Sequence, residues 1–312
     1  MTVSDIGELG LLERVFPRLP QSRDTVVGPG DDAALLTVQG GRVVATTDML
    51  VEGRHFRQDW SSPSDIGRKA AAQNLADVAA MGGVGTALLI ALALPADTEL
   101  SWVEAFYDGL RAECEPVGAG VIGGDLVRSE HGITIAVTAL GSMGGREPVT
   151  RAGAKPGDVV AIAGRVGWSA AGLAVLSRGF RTPRALVDAH RFPSVPYAAG
   201  PVAAGLGATA MTDVSDGLVA DLRSIAVASG VSIEITTDVL EVTPQMRDAA
   251  AALGVDPVRW LLDGGEDHAL LATFPAGIEI PEPWLTLGRV VRGRGVYVNG
   301  QPSDDQGFDH FR

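Results

Sequence analysis

Acidic residues beside glycine, threonine or serine recur along the chain. They form short clusters, which are Gly30-Asp31-Asp32, Thr46-Thr47-Asp48, Gly123-Gly124-Asp125 and Asp213-Val214-Ser215-Asp216-Gly217, with Asp77 standing alone. Carboxylate and hydroxyl oxygens are the ligands that hard divalent cations prefer, and glycine lets the backbone approach a ligand closely. The clusters together favour one shared site where metal ions neutralise a polyphosphate.

Each cluster taken alone has a simpler interpretation. Thr46 and Asp48 alternate with Thr47 at a predicted strand end, so they face one side together, yet an ordinary strand that leaves into a turn shows the same pattern. Gly124 and its neighbours read equally well as a turn. Asp77 continues a helical stripe with Lys69, which fits either a solvated polar face or a metal ligand on a closely packed helix.

The cluster at residues 213–217 is the most specific of the set. Asp216 could serve as the N-cap of the helix that follows. Asp213 and Ser215 are not needed for capping, and in an extended segment they share a side just ahead of a helix N-terminus, which favours anions. The segment therefore predicts oxygen ligands for one or more cations.

Composition excludes several classes of function. The chain has 312 residues, 46% of them apolar, a formal net charge of −13 and a pI of about 4.8, which disfavours a free-standing nucleic-acid binder. Cys114 is the sole cysteine, so an intramolecular disulfide and a cysteine zinc site are excluded, and a reducing cytoplasm is expected. Residues 87–95 form the longest apolar run, too short to span a bilayer, and the acidic N-terminus does not read as a signal peptide.

Phosphate binding by a Walker P-loop is also excluded. Lysine occurs only at positions 69 and 155, and no G-x-x-x-x-G-K-[ST] sequence is present. The protein-kinase motifs are absent as well. A chain that handles nucleotide phosphates without these elements needs another source of positive charge.

The elements that position the clusters follow an α+β pattern in each half. In the first half, strands are predicted at 43–47, 87–94 and 133–140, with a helix from Ser64 to about Met81 and another that opens on a capping box at Ser101 to Glu104. The second half predicts strands at 158–163, 231–236 and 269–274, helices at 169–178 and 217–229, irregular chain at 181–200, and a hairpin turn at Asn299-Gly300. The Gly- and Pro-rich segment 144–157 marks a junction, so we predict domains at 1–148 and 149–312.

The motifs and their order resemble the thiamine-monophosphate kinase family, in the aminoimidazole-ribonucleotide-synthetase-like superfamily. The stretches that carry the resemblance are GPGDDAALL (28–36), TTDMLVEGRHF (46–56), NLADVAAMGG (74–83), IGGDLVR (122–128), VTRAGAKPGD (149–158), DVSDGL (213–218), GGEDHALL (264–271) and GFDHF (307–311). The resemblance implies two α+β domains of α/β two-layer type, with a ferredoxin-like N-terminal domain that forms a dimeric β-barrel. A homodimer is therefore expected.

The resemblance also implies an activity, the in-line transfer of the ATP γ-phosphate onto thiamine monophosphate, which gives thiamine diphosphate and completes its biosynthesis. The acceptor is a phosphate monoester with a second pKa of about 6, so it is largely dianionic and needs no general base. Charge repulsion then remains, and in phosphoryl transfer positioning and cations supply most of the catalysis. Several Mg²⁺ ions are expected, with ATP and thiamine monophosphate as the small-molecule partners and no nucleic acid or membrane.

The family's functional residues map onto this sequence. The resemblance assigns magnesium to Asp32, Thr46, Thr47, Asp48, Asp77, Asp125, Asp213 and Asp216, with Asp48, Asp125 and Asp213 acting in catalysis through the metal. It assigns ATP to Tyr107, Gly124, Asp125, Arg151 and Ser215, and thiamine to His55, Glu266 and Phe308. The thiazolium of thiamine is a cation, which an aromatic face and a carboxylate both attract.

Two alternatives stay open. Another ATP-dependent synthetase of the superfamily, for selenophosphate or aminoimidazole ribonucleotide, would share the acidic clusters; the selenium enzyme would be expected to have a reactive N-terminal cysteine beside a lysine, and no lysine precedes Lys69. A non-catalytic sensor of nucleotides or thiamine phosphates would keep the fold, although a binder need not retain every metal ligand.

Overall fold

Alternating apolar residues build the strands that carry the acidic clusters. The structure is a computed structural model that describes residues 1–29 and 33–303, with the backbone alone at residues 8 and 9. Contacts divide the chain into one unit of Met1–Val78 with Gly83–Arg146 and a second of Ala79–Gly82 with Glu147–Arg312.

The first unit contains a four-stranded sheet and its helices. Its elements are α1 (Val3–Val15), β1 (Thr25–Val27), β2 (Leu35–Leu36), β3 (Val43–Val51), α2 (Pro63–Ala80), β4 (Val84–Pro95), α3 (Leu100–Cys114), β5 (Gly120–Ser129) and β6 (Thr134–Ser142). The sheet order is β3-β6-β4-β5, in which β4 and β5 run parallel and the other pairs antiparallel. The predicted strand at 43–47 is confirmed and extends to Val51, so Asp48 lies inside the strand and not at its end.

The two faces of this sheet differ in burial. Ile90 and Val137 are buried on one face, whereas Met49 and Val127 are 54% and 51% exposed on the other. Two helices pack closely near the buried face, because a Cβ on Gly109 of α3 would overlap the Ser64 carbonyl oxygen of α2. One face is therefore core, and the other is an uncovered apolar surface.

The second unit is built on a seven-stranded sheet. Its elements are β7 (Val159–Ala163), α4 (Trp168–Ser177), α5 (Arg184–Arg191), α6 (Ala199–Gly205), β8 (Ala210–Val214), α7 (Leu218–Ser229), β9 (Ser232–Ile235), α8 (Pro244–Leu253), α9 (Pro257–Asp263), β10 (Ala269–Phe274), β11 (Trp284–Val291), β12 (Gly295–Val298) and β13 (Gln301–Ser303). The strand order is β13-β12-β9-β11-β7-β10-β8. Strand β10 is buried at every residue, and its Phe274 ring meets Trp284 edge-on with ring centroids 5.4 Å apart.

Three local expectations are settled by these elements. The hairpin turn at Asn299-Gly300 is confirmed, with both residues in the left-handed region at φ 50° and 77° and antiparallel strands on either side. The capping box at Ser101 is wrong, since α3 begins at Leu100 with Glu99 as N-cap and no side-chain cap. Segment 181–200 is more regular than expected and holds α5 and the start of α6.

Across the described residues, no helix combines the length and the apolar character that crossing a bilayer requires.

Candidate active site

Strand β3 and helix α2 bring two of the predicted acidic clusters together. The Thr46 hydroxyl donates to Asp77 Oδ2 at 2.7 Å, and the backbone N–H of Asp48 donates to Asn74 Oδ1 at 3.0 Å. Asn74 is itself fixed because its side-chain amide donates to the Ala70 carbonyl at 3.0 Å. Along β3, Thr46 and Asp48 are half-buried whereas Thr47 is exposed, so the prediction that Thr46 and Asp48 face one side is confirmed. Asp77 lies beside Thr46.

The polar stripe of α2 is not a solvated face. Lys69 is 2% exposed, and Gln73 and Asn74 are also buried. The Lys69 ammonium donates to the His55 carbonyl at 3.1 Å, while His55 Nδ1 accepts the Val51 N–H at 3.0 Å. In the neutral imidazole the proton then resides on Nε2. A buried lysine thus anchors the segment that carries His55.

Thr47 lies on the opposite face of the sheet. Its hydroxyl donates to the Val137 carbonyl at 3.0 Å and accepts from the Thr138 hydroxyl at 3.2 Å. The structure therefore does not place the Thr47 side chain with those of Thr46 and Asp48.

Asp125 also lies away from Asp48 within one chain. Cross-strand pairing aligns Asp125 with Ala91, Ala91 with Ala136, and Ala136 with Met49, which puts Asp125 on the exposed face. Successive residues of a strand point to opposite faces, so Asp48, next to Met49, faces the helices. Three strand spacings of about 4.8 Å also put roughly 14 Å between the ends of this row. One chain cannot bring the two carboxylates to one ion without a large rearrangement.

Gly124 and Tyr107, two of the predicted ATP-binding residues, lie on β5 and α3. Gly124 pairs with Ile90 of β4, and a Cβ there would overlap the Ile90 carbonyl oxygen. Tyr107 is half-buried on α3, where its ring meets Phe106 edge-on at 5.4 Å. Burial raises the pKa of the Tyr107 phenol to about 12, so it stays protonated and can donate a hydrogen bond at neutral pH.

Asp213 is the most buried of the predicted ligands that the structure describes. It lies in β8, is 3% exposed, and its Oδ2 is 2.9 Å from Nδ1 of the buried His268. Arg151 reaches the adjacent position of the same strand, since its Nε donates to the Thr212 hydroxyl at 3.1 Å. The structure thus brings Arg151 and the Asp213 segment together.

A second loop of this unit crosses the residues that follow Asp213. The Glu266 N–H donates to the Ser215 carbonyl at 2.8 Å, which joins the predicted thiamine loop to the predicted metal loop. Gly265 allows this approach, because a Cβ there would overlap the Ser215 carbonyl oxygen. Glu266 has φ 64°, an uncommon conformation for a residue with a side chain, and its Oε2 lies 3.7 Å from Nδ1 of the buried His190.

Asp221 is a residue that the sequence reasoning missed. Its Oδ2 accepts the N–H groups of Asp216 and Gly217 at 3.1 and 3.2 Å. Burial, followed by the negative charge of Asp213, raises the pKa of Asp221 to about 7. The expectation that Asp216 caps α7 is wrong: Gly217 is the N-cap, without a side-chain cap, and Asp221 binds the loop from the first helical turn. The sequence signal that could have indicated this role is an aspartate one helical turn after the motif at residues 213–217.

Asp267 was also missed as an individual residue. Its Oδ1 accepts the Ser169 N–H at 2.9 Å at the start of α4. Its Oδ2 is buried and lacks a hydrogen-bond partner among the residues that the structure describes. Burial raises the pKa of Asp267 to about 7.

The predicted ligands offer carboxylate and hydroxyl oxygens, which are the donor atoms that a hard cation prefers. No group of three or more His, Cys, Asp or Glu side chains assembles a metal site within residues 1–29 and 33–303. The oxygen donors nevertheless occur in pairs, Thr46 with Asp77 and Asp213 with Asp221, and repulsion from Asp213 adds to burial in raising the pKa of Asp221. A divalent cation would relieve that repulsion. Asp32 and Phe308 lie outside the described residues.

Family comparison defines the class of protein. The family description "AIR synthase related protein, N-terminal domain" matches residues 30–143, and "AIR synthase related protein, C-terminal domain" matches residues 155–278. Together with the mixed α/β architecture of the two units, these matches give the two-domain fold of AIR synthase related proteins.

Individual relatives narrow this class. The chain is 46% identical to the thiamine-monophosphate kinase of Mycobacterium tuberculosis over 302 residues, which is 96% of this chain and 90% of the relative. The solved thiamine-monophosphate kinase of Stenotrophomonas maltophilia K279a has a TM-score of 0.82 and 31% identity, and covers 94% of this chain and 96% of its own. AaThiL, solved in complex with AMPPCP and TMP, has a TM-score of 0.82 and 35% identity over 100% of this chain and 99% of its own. The chain belongs to the thiamine-monophosphate kinase family.

Proposed function

We propose that this protein transfers the γ-phosphate of ATP in line onto thiamine monophosphate, forming thiamine diphosphate and ADP. The observation that carries the proposal is the arrangement of oxygen donors, Thr46 with Asp77 and Asp213 with Asp221, in a chain of this family. AaThiL, which is 35% identical, was solved with an ATP analogue and TMP together. A phosphate acceptor that is already ionised needs no catalytic base, which suits sites dominated by carboxylates.

The carboxylates are proposed to hold Mg²⁺. When bound, Mg²⁺ would neutralise phosphate charge and so reduce repulsion between the two substrates. The residues proposed to hold it are Asp32, Thr46, Thr47, Asp48, Asp77, Asp125, Asp213 and Asp216. For Thr47 the side chain faces the other side of the sheet, so its backbone carbonyl is the atom proposed to participate. Asp221 keeps the loop of Asp216 in place through two backbone N–H groups.

Other residues are proposed to bind the organic substrates. For ATP they are Tyr107, Gly124, Asp125, Arg151 and Ser215, of which Arg151 offers a guanidinium suited to two phosphate oxygens. For thiamine they are His55, Glu266 and Phe308. Glu266 has support from the loop geometry, since the hydrogen bond to Ser215 holds it beside the predicted phosphate-binding residues.

We further propose a homodimer formed through the exposed face of the N-terminal sheet, within a domain of residues 1–148, with 149–312 as the second domain. That face carries the exposed side chains of Met49 and Val127 along with Ala91 and Ala136, and such apolar surfaces mark protein contacts. Asp125 lies on the same face, away from Asp48. If both carboxylates serve one metal site, they come from different subunits. A cytoplasmic location fits the sole cysteine.

The test is a product assay. Purified protein with ATP, Mg²⁺ and thiamine monophosphate should yield equal amounts of thiamine diphosphate and ADP, and a panel of other phosphate monoesters should yield far less. Asp213→Asn should lower kcat by at least about 100-fold with the circular dichroism spectrum unchanged. Binding of both substrates without product would favour the sensor, and faster turnover of another acceptor would favour a different member of the superfamily.

A further inference from the structure

His268 makes a buried contact with the proposed metal ligand Asp213. Its Nδ1 lies 2.9 Å from Asp213 Oδ2, and the two residues are 7% and 3% exposed. An ionised carboxylate can only accept hydrogen bonds, so Nδ1 carries the proton and the imidazole donates. Because both side chains are buried, bulk water does not compete for this hydrogen bond. The pair therefore keeps one geometry.

The backbone fixes His268 in that position. Its N–H donates to the Val214 carbonyl at 3.0 Å, and the next residues of β10 pair with β8, with Leu270 opposite Asp213. His268 itself has φ 51°, a left-handed conformation that few residues with side chains adopt. The turn before β10 thus directs the imidazole along β8 to the carboxylate.

We propose that His268 is a positioning residue that fixes the Asp213 carboxylate for cation binding, an inference that rests on the proposed role of Asp213 in holding Mg²⁺. With Oδ2 engaged by the imidazole, rotation about the Cβ–carboxylate bond is restricted, and Oδ1 keeps one direction. Hydrogen bonds of this kind to a metal ligand typically change metal affinity by about 10- to 100-fold. Mg²⁺ binding should therefore depend on His268 although His268 is not a ligand.

Three variants of His268 distinguish loss of the hydrogen-bond donor from strain in the left-handed backbone. His268→Asn keeps an N–H donor close to the position of Nδ1 and tolerates the left-handed backbone. His268→Phe keeps the ring but cannot donate. His268→Gly removes the donor without backbone strain and serves if the phenylalanine variant does not fold.

Mg²⁺ affinity is measured by isothermal titration calorimetry on the full-length protein in the presence of AMPPCP, alongside the Mg²⁺ dependence of thiamine diphosphate formation. The donor-less variants should bind Mg²⁺ about 10- to 100-fold more weakly, whereas His268→Asn should stay within about 3-fold of wild type. Wild-type affinity in a folded donor-less variant would overturn the proposal, as would equal losses in His268→Asn and His268→Phe.

Titration of Asp213→Asn with Mg²⁺ distinguishes the positioning role of His268 from the proposal that Asp213 itself holds Mg²⁺. Unchanged Mg²⁺ affinity in Asp213→Asn removes Asp213 from the metal site and the His268 proposal with it, while the product assay still decides the kinase activity. Weaker binding in Asp213→Asn combined with normal binding in His268→Phe refutes the positioning role alone.

Discussion

The buried carboxyl of Asp267 should make the stability of this protein fall as the pH rises. Burial raises its pKa from the ordinary 3.8 to about 7, against the opposing effect of the Ser169 and Gly167 N–H groups. Between these values the folded protein holds a proton that the unfolded chain has released. Raising the pH through this window therefore favours unfolding, and the stability present below about pH 4 is lost by about pH 7.

The structure sets the size of the effect. A rise of pKa from 3.8 to about 7 corresponds to about 4 kcal/mol in total, of which roughly 2–3 kcal/mol falls between pH 5 and pH 8. Asn at this position keeps an oxygen for the Ser169 N–H but cannot ionise. Asp267→Asn should thus remove roughly 2–3 kcal/mol of the loss of stability between pH 5 and pH 8. The rest of the pH dependence should persist, because the pKa of Asp221 is also raised to about 7.

Urea unfolding followed by tryptophan fluorescence, at several pH values between 5 and 8 and without Mg²⁺, measures this slope. Glu279→Gln, on an exposed side chain, is the matched control and should preserve the wild-type slope. The readout is the slope and not the stability at one pH, because the new amide can carry a constant cost of its own. A slope in Asp267→Asn equal to that of wild type would refute the reasoning.

Three further predictions concern other parts of the chain. Met49→Lys puts a charge on the exposed apolar sheet face and should turn the proposed dimer into a folded monomer in light scattering; an unchanged mass would reject this interface. Gly109→Ala should lower the free energy of unfolding by roughly 1–3 kcal/mol, because the methyl group meets the Ser64 carbonyl, whereas Gly205→Ala, with open space around it, should not; equal urea midpoints would contradict this. Cys114 is fully buried and its pKa is raised by burial, so Ellman's reagent should react only after unfolding, and rapid reaction of the native protein would count against that core position.

Local patterns predicted the strand and the helix that carry the first acidic residues of the candidate site. Period-two alternation gave strand β3 and put Thr46 with Asp48, and the helical stripe gave α2 with Asp77 on it. The contact between Thr46 and Asp77 follows once strand and helix pack, because both side chains face the layer between them. These features depend on residues close in sequence or on a simple layered fold.

Other features depend on contacts distant in sequence. The face of Asp125 is set by the pairing of β5 with β4, including an irregularity between Leu88 and Leu89 that no local pattern marks. Burial of Lys69 requires the His55 segment to lie across α2. The hydrogen bond from the Glu266 N–H to the Ser215 carbonyl joins residues 51 positions apart, a contact that their spacing does not reveal. Asp216 was the expected cap of α7, but the helix begins after Gly217, which has φ 125° and is the N-cap.

The position of Lys69 also determines how this protein responds to amine chemistry. Lys69 is buried with its ammonium bonded to the His55 carbonyl, whereas Lys155, the other lysine, is exposed in the second unit. An amine-directed fluorophore should therefore attach to the native protein at Lys155 and at the N-terminus. If the terminal amine is blocked, labelling in a buffer near pH 9 should occur at Lys155 alone. A cysteine introduced on the first unit would supply a second, orthogonal attachment point, since Cys114 is buried. The scarcity of lysine thus makes the two units separately addressable for distance measurements during substrate binding.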